Sequence, residues 1–474
     1  MYEITNENSI TAGWHNLKDS LDPLYFNEIE QLWKDWQRAQ GLQDIRGITN
    51  HFSSMGDDGR RFAAEMMRRH LEEMHAHLRA IGVKAPICGT NITFTTGDLW
   101  AAQNMEYTND HAYFDHPNVS ARPMTYNNNV MVRENATRLG IMPSFSRAKV
   151  AGKPLSASEW NFCYPNDTRC EGLPIMTAYS SFQNWDSLLF YCATGSFDAG
   201  TWARFHEAPG ILVHSQQTDP STWGLSQACA VAFRQRHIRP SEKVIRLDYE
   251  PADVWKNLNV AGRWPFLTAM ARLETRLVPS RPADQWPMAY DSAKDNREHF
   301  ADAVQRLGLA NVSATRVTGD TGEIVRYPEC GLFTVDTPKS KMATGVLNAL
   351  ADDTRAIRDF DIASPARFAT VTLTALDDQP VTSSKRMLLC VVANSRNKDG
   401  RFNGFEIHDM GRKGPVLTEP VEAEFALTSD SPVTVYRLNT LTGRREGTLK
   451  SVLADGKARF STTGAKTIYF ELVR

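Results

Sequence analysis

The chain changes rhythm twice. Up to about residue 237, short apolar runs alternate with longer stretches whose apolar residues recur every three or four positions, the signature of βα units around a parallel sheet. Runs at 1–6, 86–92, 104–111, 153–159 and 180–190 read as strands. Tyr25, Ile29, Leu32, Trp33 and Trp36 share one face of a helix expected at about 23–40. A second, at about 58–81, follows the cap candidates Asp57 and Asp58 and repeats the spacing with Phe62, Met66, Leu71, Met74, Leu78 and Ile81. Both helices are expected to cover a sheet.

Residues 117–152 are rich in Asn and Arg without a clean period and read as a long loop carrying a short helix. Such loops at one end of an α/β scaffold commonly build a binding site. Between 238 and 330 the pattern is mixed, with Pro279, Pro282 and Pro287 as punctuation and one helical stretch at 293–307, and it assigns no architecture. From about 331 the period becomes two, as in RFATVTLTAL at 367–376 and KTIYFELV at 466–473. The expected class is therefore α/β plus all-β: an α/β part over 1–237, a connecting region over 238–330, and an antiparallel β-sandwich over 331–474.

Composition narrows the partners. With 474 residues, 42% of them hydrophobic, the chain can bury a large core and divide into two or three domains. Lys and Arg number 53 against 55 Asp and Glu, which leaves no basic excess to neutralise phosphates, so no nucleic-acid partner is expected. No apolar run reaches the roughly 18 residues of a membrane span, and the first residues lack the layout of a signal peptide. As written, the chain reads as cytoplasmic and off the membrane, with an export signal on a longer parent left open. The seven cysteines are scattered without a C-x-x-C pair and read as buried free thiols. His70, His75 and His77 miss the i, i+4 spacing of helical zinc motifs, and no metal or cofactor is expected.

The chemistry gathers in two stretches. In KPLSASEWNFCYPNDTRCEG, residues 153–172, a buried-looking strand ends at Glu159, followed by Trp160 and Asn161; in MYEITNENS, residues 1–9, Glu7 follows a strand in the same way. Two carboxylates facing a sugar acetal can divide its cleavage, one giving a proton to the departing oxygen and the other attacking or steadying the oxocarbenium ion. Each also has a plainer reading: Glu159 capping a turn or pairing with Arg169, Glu7 lying in a loose terminus.

TNENS at 5–9, SEWN at 158–161 and AYSSFQNWD at 178–186 resemble the ends of strands four, seven and eight in the retaining glycoside hydrolases of clan A. The resemblance covers roughly 1–235 and is strongest over 153–195. It implies that Glu7 is the acid/base and Glu159 the nucleophile. It further implies that Asn6 bonds the sugar 2-hydroxyl, that Trp185 forms an apolar floor under the ring, and that His111 and Tyr113 stand near the nucleophile. Asn91 and Asn161 join as candidate substrate contacts.

The fold so implied is a partial (β/α)8 TIM barrel of about strands four to eight, with Glu7 on an interior strand and three earlier strands absent. Open strand edges would then favour a homo-oligomer, most simply a dimer. The expected activity is retaining hydrolysis of a β-glucoside, β-galactoside or β-glucan. The alternatives are a transglycosylase on the same fold, or an inactive carbohydrate-binding remnant.

Overall fold

Parallel pairing joins short apolar strands in three separate places. The computed structural model describes residues 1–12, 16–193, 210–214 and 217–474. Strand β1 (Tyr2–Thr5) lies beside β2 (Ile87–Thr90). Strand β3 (Thr108–Phe114) pairs with β5 (Leu155–Phe162), and β5 with β6 (Ser187–Phe190). The two-residue β4 (Met124–Thr125) stands apart, against residues 406–409. The third group, β7 (Val244–Tyr249) with β8 (Arg272–Leu277), falls in the region whose pattern assigned no architecture. A bridge from Val150 to Thr275 carries β8 back toward the start of β5.

The two long helices span Pro23–Ala39 and Gly56–Ala80. The first is started by Asp22, whose side chain accepts from the Leu24 N–H, and by Pro23 at the first helical position, where a missing N–H costs nothing. Only the second covers a strand: Met67, Leu71 and Leu78 pack on Ile87, and Gly89 of β2 leaves the space that Leu71 fills. The first packs on the second instead, with the Trp33 and Phe62 rings 5.2 Å apart. Tyr25 and Leu32, expected on its inner face, are 59% and 41% exposed. The aromatic rings bury only the Trp33 end of the stripe against the second helix.

The strand expected at 180–190 is shorter. Its first residues finish a helix, Gly172–Phe182, whose apolar positions run all round because both sides are covered, and an unbroken apolar run does not distinguish buried helix from strand. The strand expected at 104–111 lies further on, at 108–114, so His111 and Tyr113 fall within β3.

Among the described residues, the C-terminal half holds a nine-stranded antiparallel sheet with a four-stranded sheet on one face. It begins at Val317–Thr318, earlier than the change of period at 331. On Ala369–Ala375, the residues Ala369, Val371, Leu373 and Ala375 meet the smaller sheet. The alternate residues Thr370, Thr372 and Thr374 are fully buried too, facing the helices, where Thr370 Oγ1 donates to the Cys170 carbonyl at 2.8 Å. The central sheet is thus a wall with both faces covered. A buried ion pair, Arg169 with Asp219, ties the helical part to a separate two-stranded sheet, since Arg169 also donates to the Ser395 carbonyl at 2.7 Å. That pair is where Arg169 finds its carboxylate, rather than at Glu159. Helices followed by this large antiparallel sheet define an α/β plus all-β chain. All seven cysteines are free thiols. Among the described residues, no helix is long and apolar enough to cross a membrane.

Candidate functional site

Alternation along β3 puts Asn109, His111 and Tyr113 on one face. On the neighbouring β5 the alternation breaks. Asp110 pairs with Ala157 but His111 with Glu159, so Ser158 is an extra residue, a bulge. Strict alternation would send Ser158 and Glu159 to opposite faces. With the bulge both reach the same imidazole: Ser158 Oγ lies 2.8 Å from His111 Nε2, and Glu159 Oε2 lies 3.6 Å from His111 Nδ1. Glu159 therefore sits inside its strand, not at the end, and the bulge is what aims it.

Glu7 arrives from the other side. It follows β1 with φ +48°, a left-handed conformation that costs a non-glycine residue free energy and must be held in place. Two anchors hold it. The Glu7 N–H donates to Asn91 Oδ1 at 2.7 Å, and the segment just beyond is tied down by Asp98. That buried carboxylate accepts from Ser9 Oγ at 2.7 Å, Thr11 Oγ1 at 2.6 Å, and the N–H groups of Phe94 at 3.0 Å and Thr95 at 2.9 Å. Burial raises the pKa of Asp98, and the four donors oppose that rise.

The result is two carboxylates converging on one nitrogen, Nδ1, of a buried imidazole. His111 Nδ1 is 2.8 Å from Glu7 Oε1, so its N–H donates to that carboxylate, and Nε2 is left to accept the Ser158 hydroxyl proton. The liganding atoms of Glu7, His111 and Glu159 all lie within 4.8 Å of one another. Tyr113 donates its hydroxyl to Glu159 Oε2 at 2.5 Å. Burial, then the Glu159 carboxylate, push the Tyr113 pKa far up, so the phenol stays a donor at any working pH. The His111 side chain is fully buried, while those of Glu7 and Glu159 are 36% and 22% exposed, which leaves both acids open to a ligand.

The other expected contacts divide. Asn6 is exposed beside Glu7, its Oδ1 accepting from Asn91 at 2.8 Å. Asn91 is buried and saturated: it also donates to Glu3 at 2.9 Å, so it positions Asn6 and Glu7 rather than meeting a ligand. Asn161 is likewise buried, donating to the carbonyls of Tyr191 at 2.6 Å and His214 at 3.1 Å. Trp185 does not join the group. It precedes β6, is 4% exposed, and packs on Phe145 with ring centroids 5.3 Å apart. A residue before a parallel strand lies at the end away from the carboxylates, so its indole belongs to the core and not to the floor of a site.

Several residues at the site carried no signal that the sequence reading used. Tyr191, immediately after β6, takes the aromatic place expected of Trp185, with its ring 6.2 Å from that of Tyr113. His214 stands 4.9 Å from Tyr113 and 5.0 Å from His116, ring to ring, and burial lowers its pKa to about 4, leaving it neutral. Glu3 accepts from both Asn91 and Asn109, and Asn109 in turn accepts the Ser158 N–H at 3.2 Å, so one polar chain ties Glu7 to the bulge under Glu159. Asn109 was legible, being two residues before His111 on the same face. His214, brought in from more than fifty residues beyond Glu159, was not.

Among the described residues, Glu7, His111 and Glu159 are the cluster with donor atoms close enough to hold a metal ion, two carboxylates and an imidazole. The same three groups form a proton-sharing set without one. Comparisons with family models, with curated proteins and with solved structures give no match in any of the three.

Proposed function

We propose that the chain is a retaining β-glycosidase acting through a glycosyl-enzyme intermediate, on a β-glucoside, β-galactoside or β-glucan. One observation carries this reading: the oxygens of Glu7 and Glu159 that face His111 lie within 4.8 Å of each other, both partly exposed. Retention needs carboxyl groups about 5–5.5 Å apart, whereas inversion needs about 6.5–9.5 Å to fit a water. The short separation favours direct attack by one carboxylate.

In this reading Glu159, oriented by the Tyr113 hydroxyl, attacks the anomeric carbon. Glu7 protonates the leaving oxygen and then deprotonates the water that releases the sugar. His111 backs both acids with one nitrogen, its N–H on Glu7, and keeps that carboxyl aimed toward Glu159. Asn6 is placed to bond the 2-hydroxyl, and Tyr191 supplies the apolar wall. The strands β1, β2, β3, β5 and β6 then stand for strands four to eight of a (β/α)8 barrel, and the edge of β1 that pairs with no strand among the described residues is the place where a second copy would dock to make a dimer.

The test is release of chromophore from a panel of aryl β-glycosides. Glu159→Gln is expected to abolish turnover while the fold is kept; parental turnover in that variant would end the proposal. For the dimer, light scattering on the eluting protein should give twice the chain mass of 53.2 kDa, and a strict monomer would remove that part alone.

A further inference from the structure

A cavity apart from the carboxylate site lies on the helix-covered side of the nine-stranded sheet, where the helix Pro220–Arg234 crosses the interior strands Arg386–Val392 and Tyr469–Val473. Its volume is about 700 Å³. Gly224 sets its shape: a Cβ there would come within 2.8 Å of Ile468 and 3.0 Å of Val392, so only glycine lets the helix lie this close to the sheet. The neighbouring Trp223 is thereby held at the rim, 37% exposed, and with Val391, Ile468 and Tyr469 it makes a broad apolar surface.

Around that surface stand polar side chains that the fold does not use. Gln217, Glu419, Glu422, Thr440 and Lys466 line the cavity, and among the described residues none has a side-chain hydrogen bond or ion pair. An amide can both donate and accept, carboxylates accept, and an ammonium donates. A sugar ring asks for this combination, an apolar face to lie on and mixed donors and acceptors at its hydroxyls. A wholly apolar ligand would strip water from these groups and give nothing in return. Two carboxylates against one ammonium make the rim acidic, which disfavours phosphates, uronates and anionic lipids.

We propose that this cavity is a binding site for a neutral oligosaccharide. The proposal does not depend on the carboxylate pair and stands whether or not that pair turns substrate over.

The test uses the full chain carrying Glu7→Gln and Glu159→Gln, so that nothing is consumed, on an array of neutral gluco-, galacto-, manno- and xylo-oligosaccharides. Calorimetry follows on the strongest ligand. Adding Trp223→Ala, or Glu419→Gln with Glu422→Gln, should each weaken that binding tenfold or more with the unfolding temperature unchanged. The surface carboxylate pair guards against a fold defect from the tryptophan change. Three results would overturn the proposal: no neutral saccharide bound, affinity untouched by both sets of changes, or preference for acidic saccharides. Binding that depends on Trp223 in a protein whose parent shows no turnover on any aryl glycoside would uphold this site and sink the glycosidase reading.

Discussion

Replacing Glu7 by Gln removes the proposed proton donor and little else. The side chain is 36% exposed and takes one hydrogen bond, from His111 Nδ1 at 2.8 Å, which an amide oxygen can still accept. The backbone strain at φ +48° is held by Asn91 and by the Asp98 anchor, and neither involves the carboxylate. Stability should therefore change by no more than about 0.5 kcal/mol, as at an ordinary surface position. Activity should not survive so well. General acid catalysis contributes about 10²–10⁴ in rate, or roughly 2.7–5.5 kcal/mol of barrier. That loss applies only where the leaving group needs a proton. The assay compares kcat/KM for a phenyl and a dinitrophenyl β-glycoside in parent and variant. A fall of about a hundredfold or more is expected for the phenyl compound, and a much smaller one for the dinitrophenyl compound, whose departing phenolate is stable unprotonated. An equal fall for both, or none for either, would refute the role given to Glu7.

Trp185→Ala should cost about 3–5 kcal/mol, read as a lower urea midpoint, because the indole is 4% exposed against Phe145; an unchanged midpoint would return Trp185 to the binding surface. Asp110 gives a pH signature. Burial raises its pKa from 3.8 to about 7, so the folded state favours its neutral form; its favourable contribution is complete below pH 3.8 and is lost as pH rises toward 7. Stability from this group should fall with pH across that window by at most about 1.4 kcal/mol per unit, and Asp110→Asn should flatten the slope of urea midpoint against pH; parallel slopes would count against it. Dialysis against a chelator should leave turnover intact, since the carboxylate pair needs no ion; a loss reversed by added divalent metal would reassign Glu7, His111 and Glu159 as its ligands.

Much of the local structure was legible in the chain. The long helices follow from their three-and-four spacing, although Asp57 and Asp58, expected to cap the second, lie inside its first turn, and the C-terminal sheet follows from alternation, because both depend on periodicities that the backbone itself imposes. The two acids were singled out as polar residues following strand-like runs, and their pairing came from a resemblance rather than from the pattern. What the sequence left undecided was position across space. Trp185 and Tyr191 are both aromatic and six residues apart, and only the direction of β6 puts one in the core and the other beside Tyr113. The Ser158 bulge has no mark in composition, yet it decides which face receives Glu159. The meeting of Glu7 with Glu159, 152 positions away, belongs to the parallel packing of β1, β2, β3 and β5 and to a single buried histidine. Local pattern fixes what each segment becomes, whereas the pairing of segments distant in the chain is settled by packing, which no short window of residues contains.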